Sequence, residues 1–195
     1  MITAEYGIPS ASPGAMFREE KAAGTELGVA ADKLTRHGKL VPDDMVCLVV
    51  KAWLKTHDGE FIFDGFPRSL GQAGALEEML AERNTPLDLA LLLEADFDTI
   101  SSRVQSRLVC SKCRTNLSMG MHVANADAPC PKCGGKLIRR SDDNLETLQL
   151  RMKEYAEKTE PLVAHYRDLG LLRAVDSTRA PSLVFASIAA ILEGQ

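Results

Sequence analysis

The chain has 195 residues, 45% of them apolar, 26% charged and 5% aromatic, with 23 Lys and Arg against 27 Asp and Glu for a net charge of −4. That balance excludes a disordered, collagen-like or disulfide-dense chain and fits one globular domain carrying an inserted lobe. No apolar run reaches the roughly 18 residues of a membrane-crossing helix, and MITAEYGIPS has neither the basic start nor the apolar centre of a signal peptide, so a soluble cytoplasmic protein is expected.

In chain order, residues 1–6 read as the end of a helix running into Gly7-Ile8-Pro9. A doubly wound domain ordinarily opens with a strand, so a leading strand is expected to be missing. Met45, Leu48, Val49, Ala52 and Trp53 recur at helical spacing and predict one core face, within which Cys47 reads as a buried, inert thiol. Phe61-Ile62-Phe63 predicts a short strand ending at Asp64-Gly65. Ser69 then predicts a helix start in which its hydroxyl and the Gln72 amide cap each other's backbone donors, with Leu70, Ala73, Leu76 and Leu80 facing inward. Leu87 to Leu93 and Leu171 to Val175 are further apolar runs. Such runs between helices predict parallel strands covered on both faces and an α/β fold with right-handed crossovers.

Four of the five cysteines form two pairs, Cys110-x-x-Cys113 and Cys130-x-x-Cys133, sixteen residues apart, with Gly134-Gly135 after the second. Two such knuckles point four sulfurs at one centre, which predicts a structural zinc site, or iron in its place, with no open position for water. Redox pairs or disulfides are the alternative, but matched pairs at this spacing favour a metal. From Arg103 to Arg140 eight basic residues oppose Asp127 alone, giving the lobe +7 and the rest of the chain −11. Such a field attracts polyanions, either nucleotide phosphates or nucleic acid. The lobe has no Phe, Tyr or Trp on which bases stack, which weighs against single-strand binding. Arg103 and Arg107, four apart on a helix expected over 98–108, should share one face and grip one anion, although a solvated helix face would look the same. Arg140 and Arg151 bracket the start of the next helix, where Asp142, Asp143 and Asn144 supply acidic or capping character.

Asp64-Gly65-Phe66-Pro67-Arg68 follows a predicted strand, and ligands of open α/β sheets bind beyond the carboxyl ends of strands. An acid and an arginine there suit a magnesium ion and a phosphate. With Tyr6-Gly-Ile-Pro, Met16-Phe-Arg18, Ala23-Gly-Thr-Glu-Leu-Gly28, Gly38-Lys-Leu-Val-Pro-Asp43, Gln72, the cysteine lobe and Asp142-Asp-Asn-Leu-Glu-Thr147, this turn makes essentially the whole chain resemble the adenylate kinases, and most of all the bacterial type with a long zinc-bearing lid.

The resemblance implies a P-loop-kinase-like, three-layer parallel α/β sheet. Residues 1–102 and 141–195 would form the core, with an AMP-binding region at about 12–42, and residues 103–140 the zinc-ribbon lid. It implies reversible phosphoryl transfer from ATP to AMP, giving two ADP, by a monomer that engages neither nucleic acid nor membrane. Arg18, the backbone of Lys39, Leu40 and Val41, the turn Gly65, Phe66, Pro67 and Arg68, and Gln72 would surround AMP. Arg103, Arg107, Arg140 and Arg151 would close over the transferring phosphates, the last two also reaching AMP. Asp64 would position Mg²⁺ through water, and the Arg179 backbone would meet the ATP adenine. Phosphoryl transfer needs alignment and charge neutralisation more than a covalent group, each guanidinium can hold two phosphate oxygens, and a closing lid would exclude water.

The chain departs from the family's pattern in several places. Its 195 residues contain no G-x-x-x-x-G-K-[ST], since Gly134-Gly135-Lys136 is followed by Leu and lies in the zinc lobe. Relative to the family the start is short by about twenty residues, the size of a strand, loop and partial helix. Met1 is therefore expected to be a truncated or miscalled start, and this form weakly active or inactive. Ser12-Pro-Gly-Ala-Met-Phe-Arg18 replaces Ser-Thr-Gly-Asp-Met-Leu-Arg, and Leu117-Ser118 replaces a Tyr-His pair. A catalytically silent nucleotide-binding zinc protein and a zinc-ribbon nucleic-acid binder are the alternatives. The latter leaves the Asp64 to Arg68 turn unexplained.

Overall fold

Two parallel strand pairs and a small antiparallel lobe organise the chain in a computed structural model, which describes residues 2–36, 41–140 and 143–194. A short helix α1 (Ile2–Tyr6) stops at Gly7, whose φ of +71° suits glycine. Strand β1 (Ser10–Ala11) leads into α2 (Pro13–Ala22), α3 (Glu26–Arg36) and α4 (Asp43–Leu54). Strand β2 (Ile62–Phe63) and α5 (Leu70–Glu82) follow, then β3 (Ala90–Glu94) and α6 (Phe97–Ser106). The lobe contains β4 (Arg107–Cys110), β5 (Asn116–Ser118) and β6 (Leu137–Ile138). The chain returns through α7 (Leu145–Glu154), a π-helical turn (Tyr155–Thr159), α8 (Pro161–Asp168), β7 (Leu172–Asp176) and α9 (Pro181–Leu192).

The helix at residues 2–6 and the three apolar strands stand where the sequence places them. β1 pairs in parallel with β2, Ser10 opposite Ile62, and β3 with β7, from Ala90 opposite Leu172 to Glu94 opposite Asp176. Among the described residues no ladder joins β2 to β3. The strands are consequently not covered as expected: β2 is half-buried and Leu93 of β3 is 53% exposed. Among the described residues Leu93 has a strand neighbour on the β7 side alone.

The main core joins Phe17 of α2, Val46, Val49, Val50 and Leu54 of α4, Phe66, and Leu76, Met79 and Leu80 of α5. The inner face of α4 is thus rotated from the expected one: Leu48 is 61% exposed and Ala52 is exposed, because Val46, Val50 and Leu54 also form an i, i+4, i+8 row and it is this row that meets α5 and α2. Cys47 is only partly buried at the edge of this core, and that burial, with Asp43 and Asp44 nearby, pushes its thiol pKa up, in keeping with an inert group. Leu70, in the first turn of α5, lies outside the core as well. A second cluster, Ala73, Leu162 and Tyr166, packs α5 on α8. At the chain's two ends Tyr6 Oη donates to Glu193 Oε1 at 2.7 Å, fastening α1 beside α9.

The lobe is an antiparallel sheet ordered β5-β4-β6. The helix expected to run to Leu108 stops at Ser106, because Arg107 is extended and pairs with Ser118 across the sheet. The lobe also has a small core of its own, Leu108, Leu117 and Leu137 around Cys110 and Cys130.

Candidate active site and metal-binding lobe

The Asp64 to Arg68 turn leaves the carboxyl end of β2 and is shaped by its glycine. Gly65 has φ of +72°, and a Cβ there would lie 2.7 Å from Arg68 Nη2, so a side chain would be both strained and obstructed. Arg68 Nε donates to Gly65 O at 2.8 Å, folding the guanidinium back over the turn, and Thr159 Oγ1 donates to Arg68 O at 2.9 Å. Phe66 is buried against Phe63, ring centroids 5.4 Å apart, which leaves its backbone as the part offered to the site. Asp64 is exposed, its N–H donating to Ala11 O at 2.8 Å. The Arg68 pKa is lowered by crowding of the guanidinium and then by Arg151, with Asp64 opposing. The turn thus supplies one acid and one cation, Asp64 and Arg68, and the charge of Arg151 on α7 is felt at Arg68.

Ser69 caps α5 by accepting from Gln72 N at 3.1 Å, as expected. The reciprocal half differs. Gln72 Oε1 accepts from Arg68 N at 2.8 Å instead of from Ser69 N, and Gln72 Nε2 donates to Asp43 Oδ1 at 2.7 Å. The carboxylate on α4 draws the amide toward itself, and the backbone donor that remains in reach is one residue earlier. Arg18 is exposed in the middle of α2, and Gly14 in the first turn leaves room for its Nη1, 3.4 Å from where a Cβ would stand. Val41 is buried in the main core, whereas Lys39, Leu40 and Asp142 lie outside the described residues.

Arg103 and Arg107 do not share a helical face. Arg103, on α6, donates through Nη2 to Ser177 O, whereas Arg107, already in β4, forms a forked ion pair with Asp143 in which Nε donates to Oδ2 at 2.8 Å and Nη2 to Oδ1. The Asp143 side chain is fully buried in this pair. Arg140 follows β6 and Arg151 lies on α7, which is capped by Asn144, whose Oδ1 accepts from Thr147 N at 2.8 Å.

The Arg103 contact reaches the carboxyl ends of β3 and β7. Ser177 N and Oγ both donate to Glu94 O at 2.8 Å, and Asp176 Oδ1 accepts from Thr178 N and Oγ1. Those two bonds, with Arg179 adding its charge, hold the Asp176 carboxyl below the usual range. Arg103 and Arg179, expected to serve one nucleotide, are thus joined through the Ser177-Thr178-Arg179 loop. A cavity of about 520 Å³ lined by Asp98, Ser101, Gln105, Met119 and Arg139 lies against α6 and contains none of the predicted site residues.

In the lobe the four sulfurs of Cys110, Cys113, Cys130 and Cys133 all lie within 4.8 Å of one another, with 3.4 Å from Cys110 to Cys133 and 3.7 Å from Cys113 to Cys130. Tetrahedral thiolates about 2.3 Å from a zinc ion stand about 3.8 Å apart, so the set fits a metal of that kind. Backbone turns shape both knuckles: Arg114 N donates to Cys110 O and Gly134 N to Cys130 O. At Gly135 a Cβ would stand 2.9 Å from Cys110 Sγ, so only glycine lets the second knuckle close on the first. The Thr115 hydroxyl, 3.3 Å away, and backbone hold the Cys113 thiol down to about 6, favouring the thiolate that binds metal. Leu117, at one departure from the family pattern, is a core residue of the lobe.

Sequence reasoning missed Asp43, Thr159 and Ser177 as partners, and saw in Asp143 only helix-start chemistry. Asp43 and Asp143 had the faint signal of acids near helix starts, whereas Thr159 and Ser177 act through contacts that no local pattern encodes.

The family model for adenylate kinase matches residues 1–171. An adenylate kinase of Thermodesulfovibrio yellowstonii is 42% identical over 194 residues, 98% of this chain and 90% of that protein. One from Archaeoglobus fulgidus is 41% identical over 194 residues, 98% of this chain and 89% of its own. A third, from Pseudothermotoga lettingae, is 42% identical over 176 residues, 89% of this chain and 81% of its own.

Proposed function

The chain belongs to the adenylate kinase family, and from that premise we propose how its residues divide the work of a nucleoside monophosphate kinase. The fold is that family's α/β P-loop-kinase fold, and the activity is phosphotransfer between ATP and AMP, the family's substrates. In our reading residues 1–102 and 141–195 form the core and 103–140 the lid, a division supported by the lobe's separate apolar cluster.

AMP is received by Arg18, Lys39 to Val41, Gly65 to Arg68 and Gln72, with Arg140 and Arg151 reaching its phosphate from the lid side. Arg103, Arg107 and Arg179 serve ATP. The observation that supports this assignment is the Asp64 to Arg68 turn, where Gly65 folds the Arg68 guanidinium back beside Asp64 and the Arg151 charge is near enough to act on Arg68. A phosphate has oxygens for two guanidinium forks and suits a place where two such charges act on one another. Asp64 suits a water-mediated hold on Mg²⁺, which would neutralise phosphate charge during transfer. Cys110, Cys113, Cys130 and Cys133 would hold zinc, which would stiffen the lid without joining the chemistry. We read the chain as a cytoplasmic monomer that engages neither nucleic acid nor membrane. The four thiols suit a reducing compartment, and no described helix is long and apolar enough to cross a bilayer.

The test is a coupled assay of ADP formation from ATP, AMP and Mg²⁺ with zinc-loaded protein, run beside calorimetry of AMP binding. Turnover by these 195 residues is expected to be low for want of a G-x-x-x-x-G-K-[ST] loop, so binding is the more sensitive readout. AMP binding that Arg68→Ala weakens supports the assignment. Neither ADP formation nor measurable affinity for AMP and ATP would overturn it.

A further inference from the structure

Between α4 and α5 a single carboxylate decides how a buried amide is turned. Asp43, the first residue of α4, accepts from Gln72 Nε2 at 2.7 Å and from Ser69 Oγ, while Gln72 Oε1 accepts from Arg68 N–H at 2.8 Å. Gln72 is only 3% exposed. Amide nitrogen and oxygen have nearly the same shape, but their two partners do not: an ionised carboxylate only accepts and a backbone N–H only donates. Of the two amide orientations, one satisfies both contacts. The other sets oxygen against carboxylate and NH₂ against N–H, leaving the buried Gln72 amide mispaired at both ends. Gly71 allows the approach, since a Cβ there would stand 3.3 Å from Asp43 Oδ2 and 3.8 Å from Ser69 Oγ.

We propose that Asp43 is a positioning residue that sets base selectivity by fixing the Gln72 carboxamide in this orientation. The proposal rests on Gln72 belonging to the AMP pocket. Once Asp43 and the Arg68 N–H are served, Gln72 keeps one N–H donor and one oxygen lone pair for a ligand, and their order in space is fixed. A donor beside an acceptor complements a 6-aminopurine, which offers an acceptor at N1 and a donor at its amino group. A 6-oxopurine offers a donor at N1 and an acceptor at O6, and meets the same amide with both partners reversed. An amide free to flip would serve the two bases alike, whereas a locked one discriminates.

The experiment measures equilibrium binding of AMP and IMP, which differ in the 6-substituent and the N1 proton, to the full zinc-loaded chain and its Asp43→Asn and Arg68→Ala variants. The carboxamide that Asp43→Asn introduces can donate as well as accept, so the amide lock is lost. The AMP:IMP affinity ratio is expected to fall about tenfold in Asp43→Asn, the scale of one mispaired two-point base contact. A ratio unchanged in Asp43→Asn, including one in which both nucleotides weaken equally, would overturn the proposal while leaving the pocket in place if Arg68→Ala weakens both ligands. AMP affinity unchanged in Arg68→Ala would remove the pocket itself and the proposal with it. Should Asp43→Asn not fold, the unsubstituted chain decides: NMR of the Gln72 side-chain amide is expected to show slow exchange with solvent and a shift on adding AMP that IMP does not produce. A fast-exchanging amide, or equal shifts with both nucleotides, would overturn it.

Discussion

Arg107 and Asp143 join the two crossings between lobe and core: the first residue of β4 forks onto a fully buried carboxylate just before α7. Removing one partner of such a pair leaves the other uncompensated. Arg107→Ala should therefore destabilise the chain by about 3 kcal/mol, at the lower end for broken buried pairs because Arg107 keeps 30% of its side-chain surface exposed. Urea denaturation checks this, and a midpoint equal to that of the unsubstituted protein would show that the pair adds nothing. Arg107 in this structure braces the lobe, so any grip it takes on ATP requires it to leave Asp143 or to share it.

Gly65→Ala places a Cβ at a φ of +72° and 2.7 Å from Arg68 Nη2. The left-handed conformation alone costs about 1–2 kcal/mol in an L-residue, and the guanidinium must also move. The expected result is a lower melting temperature together with AMP binding weakened beyond what the stability loss explains. A stable variant with unaltered AMP affinity would show that the turn does not set the Arg68 geometry.

How far the site could be read from sequence depends on how local each part is. The Ser69 cap, the cysteine knuckles and the Asp64 to Arg68 turn are made by residues within a few positions of one another, and all were legible. The inner face of α4 was legible only roughly, since Leu48 and Val46 both fit a helical stripe and the packing partners choose between them. Arg107 was misplaced because a helix-compatible run was ended by pairing with Ser118, which no local signal announces. The Asp43–Gln72 bond spans 29 positions and the Arg103–Ser177 bond 74, so both needed the fold.

Metal removal separates the lobe from the core. A chelator, or Cys113→Ser, should increase amide hydrogen exchange across β4, β5 and β6 while protection in α4 and α5 persists, because the lobe's three leucines are a small core without the metal. Global unfolding by either treatment would show that the lobe is not a separate unit.

The Asp176 carboxyl is held down in the folded chain by Thr178 Oγ1 and N–H. A folded pKa below the unfolded value of about 3.9 means that the contribution is complete above that value and is lost as pH falls through the folded pKa. Thr178→Val should thus lower stability at pH 7, and the gap to the unsubstituted protein should narrow below about pH 4. Melting curves from pH 7 to pH 3 check this. A gap that does not change with pH would remove the carboxylate from the account.

In the proposed AMP site Arg68 and Arg151 grip the same phosphate. Calorimetry of AMP binding to the zinc-loaded chain, Arg68→Ala, Arg151→Ala and the double variant tests it directly. Each single change is predicted to weaken binding by about tenfold or more, and the double change by less than the product of the two, as expected for groups sharing one ligand. Dissociation constants unchanged by either substitution would contradict it.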